Sequence, residues 1–89
     1  MTRKARIAQA LTEALQPVRL DIVDESDRHA GHAGARPGGE THYRLHIVSP
    51  AFVGKSRVER HRMINALLAA EFASGLHALA IAAATPDEA

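Results

Sequence analysis

Residues 42–84, HYRLHIVSPAFVGKSRVERHRMINALLAAEFASGLHALAIAAA, contain a strand pattern, a helix pattern and a second strand pattern, in that order. The first strand is indicated by apolar residues that alternate with polar ones at the period of a half-buried strand: Tyr43, Leu45 and Ile47. The second is indicated by an alternating set in an alanine-rich run: Leu79, Ile81 and Ala83. A helix that links two neighbouring parallel strands forms a right-handed crossover, and we expect one here.

The helix between these strands has a clear start signal. Ser56, with Glu59 three residues later, matches the capping box that opens many helices. We expect the helix to stop before Gly75. Its predicted apolar face consists of four side chains: Ile64, Leu67, Leu68 and Phe72.

The N-terminal part of the chain predicts one more helix and one more strand. Thr2 can cap a helix with an apolar stripe, and Pro17 disfavours helix at Gln16. A strand then follows in which three apolar residues alternate with other residues: Val18, Leu20 and Ile22. We expect this strand to pair antiparallel with the strand at Tyr43. The order α-β-β-α-β predicts an α+β fold, a three-stranded mixed sheet covered by helices on one face.

A long loop separates the first two predicted strands, at about residues 24–41. It contains four glycines, one proline and no periodic apolar signal, and it carries His29 and His32. Loops of this length inside a compact domain are usually either functional or disordered. Length alone leaves both alternatives open.

Composition narrows the possible functions. A chain of 89 residues fits one domain, with a short flexible tail expected from about Pro86. The net charge of +1 does not favour nonspecific nucleic-acid binding, and no apolar run is long enough for a membrane-spanning helix, so we expect a cytoplasmic protein without a membrane partner. There are six histidines and no cysteine, so imidazole is the main transition-metal ligand that the chain supplies.

Three phrases resemble the BolA family in its bacterial type: DESDRH, GGETHYRLHIVSPAFVGKSRVERHRMINALLAAEF and GLHALAIAAATPDE. The resemblance covers nearly the whole chain from Pro17 to Glu88. It implies a fold related to the type II K-homology arrangement, in agreement with the predicted element order. It also implies two activities: a [2Fe–2S] cluster shared with a monothiol glutaredoxin, and DNA binding as a transcriptional regulator.

The resemblance implies that His77, in the HAL phrase, is a cluster ligand. A second ligand in the family lies in the long loop. Counting from DES gives His29, whereas counting back from ETHY gives His32, and both remain candidates. In this hypothesis the glutaredoxin cysteine and glutathione hold one side of the cluster and the histidines hold the other. No cofactor is expected in the isolated chain, which would be a monomer or a weak homodimer.

The other histidines have less specific predictions. His42 and His46 lie roughly 13 Å apart along one strand, too far to chelate one metal ion together. We expect His42 to be structural or partner-facing and His46 to be an exposed or partly buried strand residue. His61 lies three residues before Ile64, so it either contacts a partner or makes a buried hydrogen bond.

The alternative hypothesis is nucleic-acid binding by the basic segment, defined as Lys55, Arg57, Arg60, His61 and Arg62. Its four cationic side chains and the carboxylate of Glu59 give a local net charge of +3. Three or four phosphate contacts would make DNA binding weak at physiological salt. A K-homology GxxG loop is not matched, because Arg57 stands where the second glycine is expected. No phosphate-binding glycine motif, cysteine nucleophile or suitably placed carboxylate pair indicates an enzyme.

Overall fold

The computed structural model describes residues 1–26 and 41–89. The predicted strands and helices are present within these residues. In chain order the elements are α1 Arg3–Leu15, β1 Arg19–Asp24, β2 His42–Val48, a 3-10 helix Pro50–Phe52, α2 Arg57–Leu67, α3 Ala69–Ala73 and β3 Ala78–Ala84.

The predicted limits of α1 are confirmed. Thr2 is the N-cap, and its Oγ1 accepts a hydrogen bond from the N–H of Ala5 at 3.1 Å. The helix ends at Gln16, which takes a left-handed conformation with φ of 46° before Pro17. The inclusion of Val18 in the apolar face of β1 was wrong: Val18 precedes the strand and is 67% exposed.

The three strands form one mixed sheet in the order β1-β2-β3. β1 pairs antiparallel with β2, as predicted, and Ile22 lies opposite Leu45. β2 pairs parallel with β3, and Leu45 lies opposite Ile81. Because successive side chains point to opposite faces of a strand, alternate residues of β2 reach the core beneath the helices. These residues are Tyr43, Leu45 and Ile47.

The helix after Ser56 differs from its prediction in one respect. Its capping box is present, but α2 ends at Leu67 and the short α3 follows, because Leu68 leaves the helical region with φ of −104° and ψ of 15°. The buried row consists of Ile64 and Leu68, four residues apart. Leu67 lies beside that row and is 37% exposed. It was predicted to belong to the apolar face of the helix, but it is not a core residue.

The core is closed by buried side chains from both helices, the sheet and the 3-10 helix. Among the described residues, the hydrophobic ones with no exposed surface are Ile7, Leu11, Leu45, Ile47, Phe52 and Ile64. α3 is joined to α1 by an ion pair, in which the guanidinium of Arg3 lies 2.9 Å from the carboxylate of Glu71. No helix among residues 1–26 and 41–89 is long and apolar enough to cross a membrane.

Candidate functional site

His77 lies at the corner where the chain leaves α3 and enters β3. Gly75, with φ of 129°, turns the chain, and the buried Leu76 donates its N–H to the carbonyl of Glu71 at 2.9 Å. The N–H of His77 then donates to the carbonyl oxygen of Thr41 at 2.8 Å. His77 itself is exposed. The corner is therefore held through its backbone, and the imidazole of His77 projects from a fixed position.

A second histidine lies against His77. The rings of His42 and His77 have centroids 5.1 Å apart and planes tilted by 52°. His42 is only 5% exposed, and its Nδ1 shares a hydrogen bond of 2.8 Å with Oγ1 of Thr41. Of the two roles expected for His42, burial therefore favours the structural one. Thr41 orients both histidines, one through its side chain and the other through its carbonyl group.

The described residues on either side of segment 27–40 meet at this corner. Ser26 and Thr41 flank the segment, and the N–H of Thr41 donates to Oγ of Ser26 at 2.9 Å. The predictions for His29 and His32 lie outside the described residues. Among the residues that the structure describes, no group of three or more His, Cys, Asp or Glu side chains could hold a metal ion. A complete set of metal ligands at this corner would therefore need donors from beyond them.

Arg60, the centre of the predicted basic segment, is occupied by contacts within the chain. Its guanidinium contacts both carboxylate oxygens of Glu88, at 2.6 and 3.0 Å. It also donates to the carbonyl oxygens of Ala83 at 3.1 Å and Lys55 at 2.9 Å, and it lies 5.9 Å from the ring centre of Phe52. Only 12% of this side chain is exposed. These contacts within the chain compete with the partner contact predicted for Arg60, which stays a prediction.

Glu88 folds the C-terminus back onto the domain. Its carboxylate accepts a hydrogen bond from the N–H of Thr85 at 2.8 Å in addition to those from Arg60. The hydrogen bonds from Arg60, followed by that from Thr85, lower the pKa of Glu88 to about 2. Residues 86–88 form a turn that this carboxylate fastens. The flexible tail expected from about residue 86 stays a prediction.

The remaining cations of the basic segment are exposed. Lys55, Arg57 and Arg62 are on the surface around the start of α2. Glu59 lies among them, but its carboxylate accepts the N–H of Ser56 at 2.8 Å, and this hydrogen bond lowers the pKa of Glu59. With Arg60 paired, the segment offers three exposed cations to a partner, one fewer than its sequence suggests.

His61 and His46 line a shallow groove of about 270 Å³ beside β3, together with Arg57 and residues 81–84. His61 is half-buried. Its ring makes no hydrogen bond to another described residue, so the expected buried hydrogen bond is absent there. His46 is partly buried, as predicted, with 41% of its side chain exposed. Its Nδ1 lies 3.8 Å from the carboxylate of Asp21 on β1.

Sequence reasoning missed the polar residues that build the His77 corner. Ser26 is 6% exposed and Thr41 is 1% exposed, and together they bond the start of β2 to the end of β1. Ser26 lies in the phrase DES and Thr41 in the phrase ETHY, and no role was predicted for either residue. A small hydroxyl side chain in each phrase was the available signal.

The comparisons with known proteins agree with this architecture. The model of the family described as "BolA-like protein" matches residues 11–88. SufE-like protein 1 of Arabidopsis thaliana is 53% identical over 91 residues, which cover 98% of this chain and 24% of that protein. The chain thus spans about a quarter of that relative's length.

Two solved structures are similar over nearly their full lengths. The BolA domain of SufE1 from Arabidopsis thaliana has a TM-score of 0.88 and 52% sequence identity, covering 98% of this chain and 95% of that one. BolA1 from the same organism has a TM-score of 0.90 and 44% identity, covering 100% and 97%. The predicted α+β fold is therefore confirmed by both the elements and these neighbours.

Proposed function

This chain belongs to the BolA family, and from that premise we propose that it is a binding partner of a monothiol glutaredoxin rather than an enzyme. In this proposal the two proteins share a [2Fe–2S] cluster with glutathione, in iron–sulfur trafficking or iron sensing. The chain supplies histidine nitrogen, and the cysteine of glutaredoxin and the glutathione thiolate supply sulfur. The single observation that carries the proposal is the exposed ring of His77 on an anchored backbone.

The chemistry of the residues at the corner fits such a cluster. Two histidines on one iron and two thiolates on the other form a known set of [2Fe–2S] ligands, and the neutral histidines raise the reduction potential. The chain has no cysteine, so every sulfur ligand would come from the partner and glutathione. The cluster supplies electron transfer or is itself the cargo that is passed on.

The described residues also support a pre-arranged ligand. The backbone bond from His77 to Thr41 fixes where the imidazole starts, and the buried ring of His42 limits where it can turn. Restricting a ligand before binding reduces the conformational entropy that binding must remove. His42 is thus proposed as a positioning residue that does not contact iron.

The second histidine ligand is proposed to be His29 or His32. Ser26 and Thr41, the described residues that flank segment 27–40 in the sequence, are bonded to each other beside the two histidines of the corner. Both His29 and His32 belong to that segment. Substituting them one at a time would identify which of the two changes the cluster.

Nucleic-acid binding by the basic segment is not favoured as a second function. The contacts of Arg60 with Glu88 and Ala83 leave Lys55, Arg57 and Arg62 as its exposed cations. Each phosphate contact contributes about 0.9 to the salt slope of binding, so three cations give weak DNA affinity at physiological salt.

The proposal is tested by mixing the purified chain with a glutathione-loaded monothiol glutaredoxin that carries its cluster. Absorption and circular dichroism should change when the two combine, because an imidazole ligand alters the iron environment. His77→Ala should remove that change, whereas His46→Gln, which removes a histidine from the same sheet, should keep it. Unchanged spectra with the wild-type chain, or equal spectra for wild type and His77→Ala, would contradict the proposal.

A further inference from the structure

β3 is an edge strand whose outward backbone groups can be assigned from its pairing. The N–H of Ala78 donates to Thr41, and the carbonyl of Ala84 accepts from Ser49 at 2.9 Å. In a parallel pair, alternate residues direct both backbone groups to the neighbouring strand. The even-numbered residues of β3 therefore face β2. The odd-numbered residues direct their N–H and C=O groups away from the sheet: Leu79, Ile81 and Ala83.

Side chains cover this edge at one end. Arg60 donates to the carbonyl of Ala83 at 3.1 Å, which occupies the last outward acceptor. Within residues 1–26 and 41–89, the outward groups of Leu79 and Ile81 have no hydrogen-bond partner. An uncovered edge of this kind is a template for pairing with another extended chain.

The groove beside this edge is cationic through the side chain of Arg57. Its polar side chains are the guanidinium of Arg57 and the imidazoles of His46 and His61, and none of the carboxylates in residues 1–26 and 41–89 lines it. Asp21 approaches His46 from β1, but its carboxylate is paired with Arg19 at 2.8 Å. The short side chain of Ala82 forms part of the wall and leaves room above the sheet. The groove therefore complements a negatively charged side chain that enters from the strand edge.

We propose that the free edge of β3 binds an extended acidic peptide segment of a partner protein by strand addition. The partner backbone pairs with the outward groups of Leu79 and Ile81, and an aspartate or glutamate side chain enters the groove at Arg57 and His61. Strand addition of this type draws affinity from main-chain hydrogen bonds and selectivity from pockets for alternate side chains. The proposal does not depend on the cluster, although β3 begins directly after His77 and a bound strand would lie next to it.

Other occupants fit the same surface less well. A second copy of this chain paired edge to edge would bring two cationic grooves together, and like charges in close contact oppose association. A nucleic acid has no N–H and C=O ladder to pair with Leu79 and Ile81. It would also need a row of phosphate contacts, and Arg60 is already bonded to Glu88.

The test uses the synthetic peptide Ac-Thr-Glu-Val-Glu-Val-Thr-NH2 and the ¹⁵N-labelled chain, without iron. Titration followed by NMR should shift the amide signals of Leu79, Ile81 and Ala83 and slow their hydrogen exchange. A peptide in which lysine replaces both glutamates should bind at least about tenfold more weakly, since it reverses the charge that faces the groove. Equal binding of the two peptides, or no shift of the β3 amides, would overturn the proposal.

Two N-methylated peptides test the backbone pairing separately from the side chains. One carries the methyl groups on its glutamate amides and the other on its valine amides, so each removes the donors of a single peptide edge. For one strand direction, parallel or antiparallel to β3, only one edge can face β3 while the glutamates face the groove. One peptide should therefore lose about tenfold in affinity and the other should stay within about twofold of the parent. An affinity within about twofold of the parent for a peptide methylated at all four of these amides would exclude strand addition.

The groove is tested by the double variant Arg57→Gln/His61→Gln, with Lys4→Gln at an exposed position of α1 as the control. The double variant should weaken binding of the parent peptide about fivefold or more, whereas the control should match the wild type. An unchanged affinity for the double variant would overturn the proposal. Preferential binding of an oligothymidylate to the same amides, or self-association at the same amides, would also overturn it in favour of that occupant.

Discussion

A polar side chain lies beside each end of β3. The sequence predicts a contact with a partner for both side chains, but the structure leaves only one of them exposed. At the start of the strand, His77 is fixed by its backbone and its side chain is exposed. At the other end, Arg60 is bonded to Ala83 and Glu88 and is largely covered. A histidine or arginine in a family motif is therefore available to a partner only if contacts within the fold do not already use its hydrogen-bonding groups.

The physical cause of the difference lies in the number of donors. Arginine has five N–H donors in a rigid fork, so one side chain can join a helix, a strand end and a carboxylate at once. Histidine has two ring nitrogens, and at this corner the backbone and Thr41 make the anchoring contacts instead. The side chain of Arg60 therefore locks the end of β3, whereas the side chain of His77 at the start of the strand stays exposed.

The largest expected effect on stability comes from removing the aromatic ring beneath Arg60. Phe52 has no exposed surface, and the guanidinium of Arg60 lies over its ring. Phe52→Ala should lower the free energy of unfolding by about 3–5 kcal/mol, because it leaves a cavity in the core. Val53→Ala, at a neighbouring position that is 65% exposed, should change it by less than about 0.5 kcal/mol. Urea unfolding of the two variants checks the contrast, and equal losses would contradict the described packing.

Sequence patterns predicted the parts of this fold that depend on neighbouring residues. The caps at Thr2 and Ser56 and the alternation around Leu45 act over a few positions, so they could be identified from spacing. The bond from Arg60 to Glu88 joins residues 28 positions apart, and no local pattern encodes such a pair. The same holds for Thr41, whose contacts with Ser26 and His77 exist only after the strands have paired.

A smaller effect on stability is expected at the start of β3, beside His77. Thr41 is 1% exposed, and its hydroxyl bonds Nδ1 of the buried His42. Thr41→Val keeps the shape but removes that partner, which should lower the free energy of unfolding by about 1–3 kcal/mol. Thr41→Ser keeps the hydroxyl and should lose less. Chemical denaturation measures both variants, and a loss for Thr41→Ser as large as that for Thr41→Val would contradict the leading role of the hydrogen bond.

The hydrogen bonds that Glu88 accepts from Arg60 and Thr85 form a lock on the C-terminus. The stability that this lock provides should depend on pH. The pKa of Glu88 is about 2 in the folded chain against an ordinary value of 4.5, so its ionised form is stabilised by folding. Its contribution to stability is fully present above pH 4.5 and is lost as the pH falls toward 2. The stability difference between wild type and Glu88→Gln should therefore be constant at neutral pH and shrink below pH 4.5. Thermal unfolding across this range checks it, and a difference that persists at pH 2 would contradict the lock.

The smallest effect is predicted for DNA. If the chain binds DNA weakly through its exposed cations, Arg57→Gln should reduce the salt slope of binding by about 0.9, the contribution of one phosphate contact. Arg60→Gln should leave the slope unchanged, because Arg60 is paired with Glu88. Fluorescence anisotropy at several salt concentrations measures both slopes. An equal reduction by the two variants would mean that Arg60 leaves Glu88 to contact phosphate.

The most direct test asks whether nitrogen from this chain is bonded to iron. The uniformly ¹⁵N-labelled chain is combined with unlabelled glutaredoxin and glutathione, the shared cluster is reduced, and pulsed electron paramagnetic resonance records the nitrogen couplings. We predict strong ¹⁵N couplings from two directly bound imidazoles in the wild type, and the loss of at least one of these couplings in His77→Ala. Weak couplings alone in the wild type, or an identical strong coupling in both proteins, would contradict the role of His77 as an iron ligand.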